Sequence, residues 1–164
     1  MKYSRRDLSL LLPALAVAGA AARQQGDKKG DKKGQSGPRP VLATKCYEFA
    51  DLPVTTNPST KATTRQVYNG VTTRGELVSM HMTGVEPGQP PHGPHQHDNE
   101  ELVIVREGTI DMEIGGKSGE FGHGQTTRVG PGSVVFIASN DVHGFHNAGT
   151  TPALVYIIAY GNRA

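Results

Sequence analysis

Ile110, Met112 and Ile114 alternate with Asp111 and Glu113, the period-two pattern of a strand with one apolar and one wet face. Leu102-Val103-Ile104-Val105 is apolar at every position. Its outer face therefore needs a cover, either N-terminal strands or a second subunit. Similar short runs, separated by Gly, Pro and Asn, predict strands over 76–83, 101–106, 109–114, 126–129, 133–137, 142–147 and 153–160. After residue 41 no run has the length and period of an ordinary helix. Short strands at this spacing predict an all-β domain, a sandwich or barrel that closes its own edges.

Composition agrees. The 164 residues include 21 Gly and 11 Pro but only 5% aromatics, which excludes a helical bundle for the glycine- and proline-punctuated second half. The single cysteine, Cys46, rules out an intramolecular disulfide framework and a Cys-rich zinc module, and is read as a small buried hydrophobe. The formal charge of +2 hides an asymmetry. Residues 1–40 carry 9 Lys/Arg against 3 Asp/Glu, whereas 41–164 carry 8 against 12, so the domain itself has a net charge of −4. An acidic domain without a basic stripe excludes nucleic acid as a partner.

Three segments follow from these shifts: 1–22, 23–40 and 41–164. The first opens Met1-Lys2-Tyr3-Ser4-Arg5-Arg6-Asp7 and turns apolar over the 15 residues Leu8 to Ala22. That run is short of the roughly 20 residues a membrane span needs. A charged start, a short apolar middle and a small-residue end describe an export signal peptide. Ser4-Arg5-Arg6 resembles the twin-arginine signal, with Leu8 in place of its usual Phe. The expected destination is the periplasm or the outside of the cell, with cleavage near Ala20 or Ala22 and no membrane span afterwards. Residues 23–40 contain the tandem Gly26-Asp27-Lys28-Lys29-Gly30-Asp31-Lys32-Lys33-Gly34, which has no apolar residue to offset its ordering entropy and reads as a flexible linker.

Candidate chemistry concentrates in His92-Gly93-Pro94-His95-Gln96-His97-Asp98-Asn99-Glu100-Glu101. On an extended chain the rings of His95 and His97 share a face, and continued extension would put the Glu101 carboxylate there too. Two imidazoles and a carboxylate suit an open site for Fe(II), Mn(II) or Zn(II). His143, on a later strand with Phe145 on the same face, is a fourth candidate. Glu100 is out of phase with Glu101, and His146 points away from His143.

These residues resemble the cupin family. Its first motif is matched by His95, His97, Glu101 and Gly108, with Gly88 one position early. Its second is matched by Gly132, His143 and Asn147, with Ala138 in place of proline and Asn140 in place of glycine. Asn tolerates a left-handed turn, so the bend is expected to survive. The resemblance implies a double-stranded β-helix (jelly-roll) cupin barrel over 41–164. It also implies one divalent transition metal per chain in the barrel mouth, held by His95, His97, Glu101 and His143. Manganese or iron comes first; zinc, nickel and copper also occur in the family.

Further candidates follow at lower rank. Phe145, His92 and His81 are read as substrate-binding positions, with Met80 or Met82 as further lining. A hydrogen-bonded interior role is the competing reading for His81, and a surface loop for His92. His123, Arg106 and Glu107 are read as solvated. No general acid or base is identified. The function expected is a metal-dependent enzyme acting on a small molecule in the barrel, resembling the small dioxygenase cupins, with isomerase or hydrolase chemistry possible on the same ligands. The alternatives are a non-catalytic ligand-binding or sensing module, or simple metal sequestration by the histidine loop. Leu102 and Ile104 predict a homodimer.

Overall fold

The computed structural model describes residues 38–163. The expected signal peptide and nearly all of the expected linker lie outside the described residues. Nine strands follow one another: β1 (Val54–Thr56), β2 (Thr63–Val71), β3 (Glu76–Val85), β4 (Glu100–Glu107), β5 (Ile110–Ile114), β6 (Gln125–Val129), β7 (Val134–Ile137), β8 (His143–Asn147) and β9 (Ala153–Arg163). One 3-10 turn, Phe49–Asp51, precedes β1. The seven strands expected from residue 76 onward are all present. β1 and β2 are additional, because Thr63-Thr64-Arg65-Gln66-Val67-Tyr68 lacks the apolar alternation that marks a half-buried strand.

The strands form two antiparallel sheets, one ordered β1-β2-β3-β9-β4-β7 and the other β6-β5-β8. Together they make the all-β jelly-roll barrel of the cupin fold. The core comes from the facing sides of both sheets: Val85, Val103, Val105, Ala153, Val155 and Ile157 from the large sheet, and Ile110, Met112 and Phe145 from the small one. Non-directional burial of these side chains, at about 1.5–3 kcal/mol for each large one, holds the sheets face to face.

Turn chemistry sets the connections. Gly108, at φ 77°, turns β4 into β5, and a Cβ there would lie 2.7 Å from Ala153, so both the backbone conformation and the space demand glycine. Asn140 adopts φ 65° in the turn before β8, which keeps the bend where the family pattern has glycine. Asn147 is fully buried yet satisfied. Its amide donates to Val85 O (2.9 Å) and Thr151 O (2.8 Å), and its Oδ1 accepts from Gly149 N (2.9 Å). It thus ties the end of β8 to the end of β3 and to the loop before β9.

Three expectations need correction. Cys46 is exposed, not buried, because the chain before β1 runs over the surface. The face of β5 carrying Asp111 and Glu113 is not wet throughout. Glu113 is buried, because residues 115–124 fold back over it. Met80 and Met82 do not line the barrel. They alternate with His81 and Thr83 onto the outer face of the large sheet, opposite Ile158 and Tyr156. Among the described residues, β1 and β2 do not cover the outer face of β4, since they extend the sheet sideways instead of folding over it.

Candidate metal centre

His95 lies just before β4, where an isolated bridge pairs it with His143 at the start of β8. His95 N donates to His143 O (2.9 Å) and His143 N to His95 O (2.8 Å), so backbone bonds place these two rings side by side. A bend at Asp98-Asn99 follows. The chain is therefore not extended from His95 to Glu101, as the shared-parity argument assumed. Glu101 reaches the site for a different reason: it begins the inward row of β4, ahead of Val103 and Val105.

The four side chains converge. One ring nitrogen from each of His95, His97 and His143 lies within 4.8 Å of the others. Glu101 Oε2 is 3.0 Å from His97 Nε2, and Oε1 is 3.7 Å from His143 Nε2. Two rings are aimed from behind. His143 Nδ1 donates to Asp141 O (2.8 Å) and His97 Nδ1 to Asn99 O (3.0 Å), which turns each Nε2 towards the centre. Such outer bonds fix the tautomer and orientation of metal-binding imidazoles.

A metal fits this donor set. His143 Nε2 and His95 Nδ1 are buried without a hydrogen-bond partner, and a buried polar atom left unpaired costs about 1–3 kcal/mol. A cation at the convergence point would satisfy His143 Nε2 directly. Electrostatics agrees. Burial, with three neighbouring histidines, pushes His95 down to about 4, so it is a neutral donor at pH 7. The hydrogen bond to Glu101 raises the pKa of His97, so a cation held by these two groups would compete with protonation there. For Glu101, burial pushes the pKa up. The His97 hydrogen bond and the His143 and His97 charges outweigh it and hold the carboxyl below its ordinary range.

Beside the centre lies a chamber of about 50 Å³, lined by His95, Glu101, His143 and His81, with Val103, Phe145 and Ile157 as apolar wall. Phe145 is thus where it was expected. His81 lines this chamber and is not a hydrogen-bonded core histidine: its ring makes no hydrogen bond among the described residues. Burial lowers its pKa, so it is neutral at pH 7. His92 is exposed, stacks edge-on to His95 with centroids 4.5 Å apart, and lines the same chamber. Glu100, Arg106 and His146 are not in its wall. His123 is exposed and lies 3.4 Å from Glu120.

A second cavity, about 380 Å³, adjoins the first and shares His81 and His92 with it. It is lined by residues that sequence reasoning passed over, among them Thr55, Thr64 and Thr83. Their only signal was β-branching without alternation, which does not distinguish a strand from a polar loop.

The mouth of the jelly-roll barrel thus gathers three histidines and a glutamate. Residues 81–159 match the Cupin_2 family, described as a cupin domain, and together with the fold this supports the cupin superfamily. Solved structures are similar in fold. KdgF from a Halomonas species is 15% identical with a TM-score of 0.59, over 74% of this chain and 96% of that one. A predicted oxalate decarboxylase from Thermotoga maritima is 12% identical at 0.57, over 72% and 100%. The iron(II) form of HppE is 15% identical at 0.57, over 74% and 63%. Identities this low carry the fold and not the activity. No curated protein matches the chain.

Proposed function

We propose that the protein is an exported, metal-dependent cupin enzyme that transforms a small molecule in the barrel, with dioxygenase-like oxidation as the reaction class to test first. The observation that carries this reading is the unpartnered, buried His143 Nε2 facing His95, His97 and Glu101 at the entrance of an apolar chamber. Held by His95, His97, Glu101 and His143, iron or manganese would supply Lewis-acid and redox chemistry. The chain's own residues do the rest. Val103, Phe145 and Ile157 exclude water from the bound head of the substrate. His81, neutral and facing the chamber, accepts or returns a proton on the substrate. His92 stands at the entrance, where it meets the substrate as it enters.

Metal per chain, measured by mass spectrometry on the wild type and the His95→Ala/His97→Ala variant, tests the site. About one iron or manganese, lost in the variant, supports the proposal, and an oxygen-consumption screen then follows. One zinc moves the chemistry to a non-redox class. Absence of metal in both proteins after reconstitution refutes it.

Export and self-association belong to the same proposal. The Arg5-Arg6 pair ahead of an apolar run supports export by the twin-arginine route. The apolar outer face of the large sheet supports a homodimer. Among the described residues no helix is long and apolar enough to cross a membrane.

A further inference from the structure

The 50 Å³ chamber has room for three or four water-sized groups. A substrate of ordinary size therefore places only a small head against the metal ligands, and its remainder must lie elsewhere. The adjoining 380 Å³ cavity falls within the usual range of small-molecule sites, and it opens on the same two histidines.

Strand register explains its character. β1 pairs Thr55 with Thr64, and β2 pairs Thr64 with Thr83, so three threonines stand side by side in one row across three strands. Thr83 is buried and opposes Val155, which puts the row on the inner face of the sheet. Among the described residues no Asp, Glu, Lys or Arg lines this cavity. One wall is braced: Asn57 Nδ2 donates to Pro91 O (3.0 Å), while its Oδ1 accepts from Ser59 N (2.9 Å). Asn57 is thus committed to holding the wall, and away from the two histidines shared with the chamber the threonine hydroxyls are the side-chain donors and acceptors offered to a ligand.

We propose that the Thr55–Thr64–Thr83 row is the specificity surface of the substrate site, binding an uncharged, polyhydroxylated body of about one sugar ring while the head of the same molecule enters the chamber. A charged body would find no counter-charge there, and an apolar one would strand hydroxyls. The inference rests on the small-molecule reading above only in placing the head.

The test uses the full chain loaded with zinc and labelled at threonine methyl groups, titrated with neutral methyl pyranosides and sorbitol, with cyclohexanol, and with oxalate. The pyranosides or sorbitol are expected to shift the Thr55, Thr64 and Thr83 signals saturably. Thr64→Val and Thr83→Val, which keep the shape and remove the hydroxyl, should each weaken that binding about tenfold. Oxalate, a head without a body, should bind both variants as it binds the wild type. Two results overturn the proposal: no saturable shift with any polyol, or cyclohexanol binding as tightly as the pyranosides. Polyol affinity unchanged in both valine variants is equally fatal. His95→Ala/His97→Ala separates the two readings. Loss of zinc and oxalate binding with polyol binding intact leaves the threonine row standing, whatever the metal chemistry proves to be.

Discussion

His95, His97 and Glu101 respond to pH in opposite directions, which makes the site readable in the metal-free protein. His95 titrates at about 4 in the fold against 6.5 in the unfolded chain. Between those values the unfolded state binds the extra proton, so stability falls as pH drops from 6.5 to 4. The loss is about 1–2 kcal/mol once the partial exposure of the site is allowed for. Glu101, held low, contributes to stability in full above its unfolded value and loses that contribution as pH falls through its native one. His97 is held high, so its contribution is present below pH 6.5 and is lost as pH rises through its native value. His95→Asn should therefore flatten the acid side of the melting profile of the chelator-treated protein between pH 6.5 and 4. Parallel profiles for variant and wild type would exclude this account. The residue scale was the most legible one in the sequence. Parity nominated His95, His97 and Glu101, and the family resemblance added His143, although the reason given for Glu101 was wrong: a bend and strand parity bring it in, not continuous extension.

At the scale of elements, the loop between β5 and β6 does more than connect. Glu113 accepts from Gly122 N (2.8 Å), His123 N (3.2 Å) and Gly124 N (2.9 Å). These backbone bonds, led by that from Gly122, hold its carboxyl below the usual range. The clamped loop in turn reaches the metal loop, where Gly119 N donates to Pro94 O (2.7 Å) beside His95. Phe121 meanwhile packs edge-on to His146, with centroids 5.9 Å apart. Glu113→Gln puts an amide nitrogen against backbone donors and should cost about 2–3 kcal/mol of stability. It should also weaken zinc about tenfold in a chelator competition, because the support behind His95 loosens. Glu120→Gln, exposed on the same loop, is the control and should leave affinity unchanged. Equal effects of the two substitutions would mean that the clamp does not reach the metal. This connection was invisible in sequence, where Glu113 fits the polar beat of an alternating strand. Burial came from a loop whose path depends on backbone donors, which every residue carries.

At the scale of the molecule, the outer face of the large sheet is the open question. Cross-strand rows run Phe136–Leu102–Ile158–Met80 and Val134–Ile104–Tyr156–Met82. Phe136 and Val134 remain 55% and 59% exposed. A contiguous apolar face of this kind marks an interaction surface, and a flat sheet face can pack on its own copy about a two-fold axis. Leu102→Glu should convert a dimer to a monomer in analytical ultracentrifugation and leave metal content unchanged. A wild type that stays monomeric at high micromolar concentration would remove the dimer from the proposal.

The sequence by itself determined the all-β class and the strands from residue 76 onward, and it nominated the histidine and glutamate cluster. The strands and the His95–Glu101 stretch depend on local periodicity and spacing, whereas His143 meets that stretch only through a bridge between distant segments. Its hydrophobic pattern also revealed that β4 needs a cover on both faces. Only the tertiary structure decided which strands lie beside which, and so everything that depends on neighbours distant in the chain. It turned Met80 and Met82 outward, buried Glu113, left Cys46 in solvent and aligned three threonines from three strands into one surface. The physical reason is common to all four. A side chain's face follows from its own strand, but its environment follows from register and packing between segments, and no single segment carries that information.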